Sequence, residues 1–338
     1  MSVGFYGREQ ALVPALNPVF PGIRTPVDLY EALMHCWCAE TCAPRMRESW
    51  RETCPTLGQC SVTAFLAQDL FGGKVCGIPL EEGGFHCYND VGGCVFDLTS
   101  EQFPNRVFRY EGHPEQFREV HFAKEEKRLR YELLWSHLRA FCASPEGLRF
   151  QKKNLRAELK ARAERLSEED RRQAGEEIAR LLLDSPLWRE ACSVLLFRSL
   201  PGEPDTAPLR EAAWAEGKTL LLPRCVSRED MEAVPYAPDT PLSPDAFGLP
   251  CPQGPAFRED PDLVLVPCLS VTRGGVRLGR GAGCYDRYLA RHPGNRICLC
   301  FDRMLSEALP EGPWDIRVPL VLTEKGFSGG EPRQDSPA

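Results

Sequence analysis

No run of about 18 apolar residues occurs anywhere in the 338 residues, so no segment is expected to span a membrane. Basic residues are outnumbered, 41 against 48, and the formal charge of −7 excludes a general nucleic-acid binder, because phosphate binding needs a basic face. The opening stretch lacks a basic start followed by an apolar core. No secretory signal is therefore expected, and the expected compartment is the cytoplasm. No CxxC pair is present either; Cys36-x-Cys38 and Cys298-x-Cys300 have no partner pair at zinc-site distance. Two familiar nucleotide signatures are missing: no Gly-Lys-Ser/Thr follows a glycine run, and no GxGxxG spacing occurs. What is abundant is cysteine, with 16, and proline, with 30. A chain this long can bury a core without a disulfide framework, so most of the cysteines read as reduced thiols used as small apolar residues. The length sets a prior of two domains or one large one.

The character of the chain changes near residue 148. Residues 1–26, rich in Pro, Gly and Asn, are expected to be an extended segment. A smaller α+β domain is expected over 27–122, for which a papain- or transglutaminase-like type is one reading. Asp28 is its first expected N-cap, and strands and turns are expected over Gly83–Asp97. Residues 123–142 predict one amphipathic helix, with Leu129, Leu133, Leu134, Leu138 and Phe141 on one face. That helix and a break over Ala143–Gly147 make 123–147 an expected connector. From 148 to 327 helices alternate with short apolar runs, including Ser193–Phe197, Thr219–Leu222, Leu263–Val266, Ile297–Phe301 and Val318–Leu322. This order implies an α/β domain with a sheet covered on both faces, a three-layer α/β/α arrangement, with ligands at the loops beyond the strand C-terminal ends. Residues 328–338 are expected to be a disordered tail.

The sharpest local feature is Arg273-Gly274-Gly275-Val276-Arg277-Leu278-Gly279-Arg280-Gly281-Ala282-Gly283-Cys284-Tyr285-Asp286. It lies between an expected strand and an expected helix. Glycines let backbone N–H groups approach an anion, and Arg277 and Arg280 add positive charge. Asp286 stands where the helix begins, as its cap or as a holder of Mg²⁺ bridging phosphates. The plain alternative is a flexible surface turn.

Residues from about 149 to 326 resemble the 5-formyltetrahydrofolate cyclo-ligase (methenyltetrahydrofolate synthetase) family. Four elements carry the resemblance in order: Lys152-Lys153-Asn154-Leu155-Arg156, Gly202-Glu203-Pro204-Asp205-Thr206, the run from Gly275 to Asp286, and Trp314-Asp315. The resemblance implies that 5-formyltetrahydrofolate and ATP·Mg²⁺ become 5,10-methenyltetrahydrofolate, ADP and phosphate. It implies that Lys152, Lys153, Asn154, Leu155 and Arg156 belong to the ATP site, with Lys152 and Arg156 facing the phosphates. Arg277, Leu278, Gly279, Arg280, Gly281, Ala282, Gly283, Cys284 and Tyr285 form the nucleotide loop, and Lys152, Arg277 and Arg280 carry the catalysis. Arg280 to Cys284 also line the folate, Glu203 contacts its head, and Asp286 and Asp315 hold Mg²⁺. The implied partners are these small molecules alone, and a monomer is expected. Against each role stands a plainer one: Lys152 as a solvated helix charge, Glu203 as a turn residue, Asp315 as a turn cap, Asp286 as a helix cap. Three positions depart from the family pattern. Cys284 replaces the first of two tyrosines, Cys251-Pro252 replaces Glu-Pro or Gln-Pro, and Phe301-Asp302-Arg303 lacks a common Gln.

In the first part, Gly58-Gln59-Cys60 precedes an apolar stretch, which places Cys60 at an expected helix N-terminus, where the dipole favours thiolate. His86 and Asp97 follow on expected strands. In the order Cys, His, Asp they would be a nucleophile, a base and an orienting acid. About residues 27–110 resemble a small YunG-like family through Gln59-Cys60, Phe71-Gly72-Gly73, His86-Cys87-Tyr88-Asn89 and Asp97 to Phe103; no activity comes with that resemblance. The alternative is a buried thiol beside a hydrogen-bonded core histidine. Three functions are thus open: a cyclo-ligase fused to an accessory domain, a thiol hydrolase or transferase with a binding-only second half, and a scaffold.

Overall fold

Thr25, not Asp28, caps the first helix, α1 (Pro26–Leu33). Pro26 supplies the first helical position, so the cap falls one residue earlier, and Asp28 becomes the reciprocal member of a capping box. This computed structural model describes residues 4–16, 19–81 and 83–329. The chain forms two units, Met1–Asn154 and Leu155–Ala338.

In the first unit, α2 (Cys60–Phe71) is followed by β1 (Lys74–Pro79), β2 (Phe85–Val91) and β3 (Cys94–Phe96), an antiparallel sheet in the order β1-β2-β3. Instead of one helix over 123–142 there are two, α3 (Arg118–Phe122) and α4 (Glu125–Ala143). Leu134, Leu138 and Phe141 of α4 are buried in the same core as Leu29 and Leu33 of α1 and Leu66 and Leu70 of α2. Leu129 is left 51% exposed. The segment expected to be a connector is therefore a core helix, because its leucine stripe is satisfied within this unit. The expected extended segment has little regular structure, yet Phe5, Ala11, Phe20 and Ile23 insert into that core. Only Ser144 separates α4 from α5 (Pro145–Glu164). Its hydroxyl accepts from Gly147 N at 3.0 Å, so the expected break is one capped residue wide.

The division between the units falls inside α5. In the second unit, Ser167 caps α6 (Glu168–Leu183) by accepting from Asp170 N. Then come α7 (Pro186–Glu190), β4 (Ser193–Leu195), α8 (Ala207–Ala215), β5 (Thr219–Cys225), β6 (Met231–Pro235), β7 (Leu242–Pro244), β8 (Pro250–Pro252), β9 (Leu263–Val266), β10 (Ser270–Val271), β11 (Arg277–Leu278), α9 (Cys284–Arg291), β12 (Asn295–Leu299), β13 (Leu320–Thr323) and β14 (Gly326–Gly329). Seven strands form one sheet in the order β14-β13-β12-β9-β4-β5-β6. The five inner strands run parallel, and β14 and β6 close the edges antiparallel. The fold is mixed α/β. Every residue of β9 is buried, as a central parallel strand requires. Of the expected tail, Ser328 and Gly329 lie in β14, and residues 330–338 lie outside the described residues.

Adjacent parallel strands β4 and β9 lead into the two loops that carry Glu203 and the glycine run. Functional residues on such loops lie beyond the strand C-terminal ends, where α/β sheets hold ligands.

Candidate functional site

The glycine run folds as a hairpin followed by a helix. β10 and β11 pair antiparallel across a tight turn, in which Gly275 N donates to Thr272 O. Gly275 has φ +83°, and a Cβ there would lie 2.3 Å from Val318 O, so the position admits only glycine. After β11 the chain passes Gly279–Gly283 and enters α9. Asp286 is not the cap of α9: Gly283, at φ 70°, takes that place and offers no side chain. The first backbone N–H groups of α9 thus have no side-chain acceptor, the arrangement that suits an anion.

Asp286 does something else. Its Oδ1 accepts from Arg277 Nη2 at 2.8 Å and from Ile316 N at 3.2 Å. The Arg277 side chain is only 4% exposed and also donates to Pro267 O. Asp315, the neighbour of Ile316 in the chain, has its Oδ2 accepting from Gly312 N at 2.6 Å. Two buried polar atoms here, Arg277 Nε and Tyr285 Oη, have no hydrogen-bond partner. Native proteins rarely leave such atoms unpaired, and both belong to the loop. Burial pushes the Tyr285 hydroxyl far up, so it stays a neutral donor.

Glu203 is buried beside the same loop. Its Oε1 accepts from Arg280 Nε at 2.9 Å and its Oε2 from Leu200 N at 2.9 Å. Burial raises its pKa above the ordinary carboxylate value, and the Leu200 N–H and the Arg280 charge pull the other way. Arg156 Nε donates to Gly279 O at 2.9 Å, and its guanidinium lies against Gly281. Ala282 O accepts from Arg287. Cys284 is buried, and its thiol approaches Arg228 O at 3.8 Å.

The first motif is dispersed. Leu155 is a core residue of the second unit. Lys152, Lys153 and Asn154 belong to the part of α5 in the first unit. There Lys152 is buried, Lys153 is exposed, and Asn154 donates to Asp28 Oδ1 at 3.0 Å.

In the first unit Cys60 is the first residue of α2 and packs against Cys87 of β2. His86 Nε2 donates to Asp97 Oδ2 at 2.6 Å, and both side chains are essentially inaccessible. Sequence reasoning missed what holds the aspartate. Tyr110 Oη donates to Oδ2 at 2.9 Å, and Thr99 N and Oγ1 donate to Oδ1 at 3.0 and 3.1 Å. No local signal marked Tyr110. Thr99 is the Asx-turn position two residues after an Asp, which was a readable sign. A hydrogen bond from Cys87 holds the Cys60 thiol well below its usual range against burial, and the nearby His86 lowers it further. Burial alone would lower His86, but Asp97 and then Cys60 push it up to about 10.

The sequence profile of the 5-formyltetrahydrofolate cyclo-ligase family matches residues 149–324. The chain belongs to that family. The YunG protein profile matches residues 25–143. The cyclo-ligase segment is similar to the 5-formyltetrahydrofolate cyclo-ligase of Escherichia coli (strain K12), 29% identical over 174 residues, 49% of this chain and 96% of that protein. The first part is similar to the YunG protein of Bacillus subtilis (strain 168), 50% identical over 54 residues, 16% of this chain and 46% of that protein. A solved structure of Aquifex aeolicus 5,10-methenyltetrahydrofolate synthetase superposes with a TM-score of 0.48 at 31% identity, covering 55% of this chain and 95% of that one. Of the family motifs, the loop from Gly275 to Asp286 and the Glu203 turn share one end of the sheet with Asp315. Among the described residues no group of three or more His, Cys, Asp or Glu side chains forms a metal cluster, and no helix is long and apolar enough to cross a membrane.

Proposed function

We propose that the second unit converts 5-formyltetrahydrofolate and ATP·Mg²⁺ to 5,10-methenyltetrahydrofolate, ADP and phosphate. The observation that carries this reading is the cyclo-ligase family match over residues 149–324. The formyl oxygen attacks the γ-phosphorus of ATP and becomes a phosphate leaving group; folate N10 then closes on the formyl carbon, and phosphate departs. Catalysis is then mainly positioning and charge neutralisation. Arg277, Arg280 and Arg156 supply positive charge around the loop, and the uncapped start of α9 supplies N–H donors to phosphate oxygen. Tyr285 Oη and Arg277 Nε, buried without partners, are further donors toward bound oxygen. Glu203 accepts from N–H groups of the folate head. The family motif on α5 also assigns Lys152 a role toward phosphate.

Mg²⁺ takes oxygen ligands and commonly uses one or two carboxylates with phosphates and waters, so the absence of a three-residue cluster does not count against it. Asp286 and Asp315 are the carboxylates that would hold it; when bound, the ion neutralises phosphate charge. A domain over 148–327 with three layers, a papain- or transglutaminase-like first unit, and a monomer belong to the same proposal. A cytoplasmic site suits the sixteen free thiols.

The test is to supply the full chain with 5-formyltetrahydrofolate and Mg·ATP and follow methenyl absorbance. Turnover is expected; none at saturating substrate overturns the reading. Glu203→Gln separates function from stability. Its raised pKa means that folding gains from the protonated form; that gain is fully present below 4.5 and is lost as pH rises through the folded value. At neutral pH the charged form is therefore held at a cost. Glu203→Gln is expected to stabilise the fold by about 0.5–2 kcal/mol at pH 7 in thermal melts while lowering kcat/KM at least ~10-fold.

A further inference from the structure

The first unit contains reactive groups for which cyclo-ligase chemistry has no use. Cys60 opens α2, a helix of 12 residues whose cap, Gln59, makes no side-chain cap bond. The N–H groups of Cys60, Ser61 and Val62 precede the first intrahelical bond, so they face outward from the helix end. His86 is fully buried, one ring nitrogen is bound to Asp97, and the other, Nδ1, is buried with no hydrogen-bond partner. Gln59 Oε1, one residue before the thiol, is buried and also unpartnered. The strand and the helix are fixed to each other by Asn89 Nδ2, which donates to Ala64 O at 2.9 Å. The orienting acid is itself fixed by Thr99 and Tyr110. A core histidine with only a structural role would not need an immobilised carboxylate on one nitrogen and an unpaired second nitrogen near a helix-terminal thiol.

We propose that Cys60, His86 and Asp97 form a second active site that cleaves carboxylic amides, or thioesters, through an acyl-cysteine intermediate. The Cys60 thiolate attacks the carbonyl carbon, and the C=O electron pair moves to oxygen. The resulting oxyanion is held by the N–H groups at the start of α2. The His86 Nδ1 proton passes to the leaving nitrogen, the C–N bond breaks, and the amine departs. Water then attacks the thioester and gives one proton back to His86. The C–S bond breaks, and a carboxylic acid leaves with the thiolate restored. Asp97 holds the ring and balances the imidazolium charge. The proposal stands whether or not the second unit is a cyclo-ligase.

The charged and titratable groups that act on the sulfur come from several packed elements. They are Cys87 and His86 on β2, His121 on α3, Lys127 on α4, and Cys42 before α2. Burial, helped by Lys127, lowers His121 to about 4, so it is neutral and does not compete with His86 as the acid.

The probes are iodoacetamide and p-nitrophenyl acetate, used on the full chain with peptide mass spectrometry. At pH 6, Cys60 is expected to alkylate at least ~10-fold faster than the exposed Cys192. His86→Gln is expected to bring Cys60 to the rate of Cys192. Asp97→Asn is expected to lower the rate while circular dichroism reports a folded chain. p-Nitrophenyl acetate is expected to place one acetyl group on Cys60 and then turn over, with both steps absent in Cys60→Ser. A Cys60 no faster than Cys192, acetyl groups spread over many thiols, or an acetyl that never leaves Cys60 would each overturn the proposal. So would hydrogen peroxide converting Cys60 and Cys87 to a disulfide in a chain that p-nitrophenyl acetate does not acylate, since the pair would then be a redox couple.

Discussion

Asp286→Ala is expected to lower methenyl product formation more than ~100-fold and also to lower the melting temperature of the second unit on the order of 10 °C. The two effects have different origins. Asp286 is the counter-charge of Arg277, whose side chain is 4% exposed. Removing one partner of a buried ion pair leaves the other charge stranded, at a cost of about 3–5 kcal/mol. It also frees Ile316 N, which anchors the segment next to Asp315. A second substitution separates stability from catalysis. Asp286→Ala combined with Arg277→Met removes the stranded charge, so much of the melting temperature is expected to return while turnover does not. Asp286→Asn keeps an acceptor for Arg277 and Ile316 N but drops the negative charge. It is expected to melt near the wild type and still lose most activity. If Asp286→Asn keeps full turnover, the carboxylate is only a fold lock, and its role toward a metal is refuted.

The order of elements was readable because each is built from local pattern. Leu263–Val266 is a strand of four buried residues where four apolar residues stand together. Thr219–Leu222 opens β5, with Leu220, Leu221 and Leu222 buried where three leucines stand together. Boundaries failed where one neighbour changed the local rule. Pro26 moved the first cap back to Thr25, and Ser144 narrowed a five-residue break to one. The partnerships that make the sites were hidden for a different reason. Arg280 and Glu203 are separated by 77 residues, and Asp286 meets a backbone N–H 30 residues away. No periodicity records such pairs. The motif readings assigned these side chains to ligands, whereas Asp286 pairs with Arg277 and Glu203 pairs with Arg280. Asn154 lies inside a family motif, yet it ties α5 to Asp28 of α1. Cys284 shows the same limit: a position expected to line the folate is buried near the carbonyl of Arg228.

Between pH 6.5 and 9.0, the stability of the first unit is expected to be flat, with a fall on either side. Stability changes with pH wherever the folded and unfolded chains bind different numbers of protons. His86 has a folded pKa of about 10 against an ordinary 6.5. Its contribution is fully present below 6.5 and is lost as pH rises toward 10. Cys60 has a depressed pKa against an ordinary 9.0. Its contribution is fully present above 9.0 and is lost as pH falls through the folded value. From 6.5 to 9.0 the folded unit carries its proton on the imidazole and the unfolded chain carries it on the thiol. The counts match, so the slope vanishes. Below 6.5 the unfolded histidine gains a proton that the thiolate–imidazolium pair does not need, and stability drops. His121, lowered to about 4, adds to that drop because its contribution also disappears as pH falls through its folded pKa. Above 9.0 stability drops again, helped by Cys36 and Cys142, whose thiols burial keeps protonated in the fold, and by Cys87, held protonated by its hydrogen bond to Cys60 and then by burial; Lys127, which burial pulls down, opposes the drop in part. Hydrogen exchange of the β2 amides in the full chain, corrected for intrinsic rates, measures this directly. In Cys60→Ser the plateau is expected to vanish, with protection falling steadily from pH 6.5 upward, because His86 then titrates without a compensating thiolate. A wild-type chain that already falls from 6.5 would mean that Cys60 is a neutral thiol, and the ion pair would not exist.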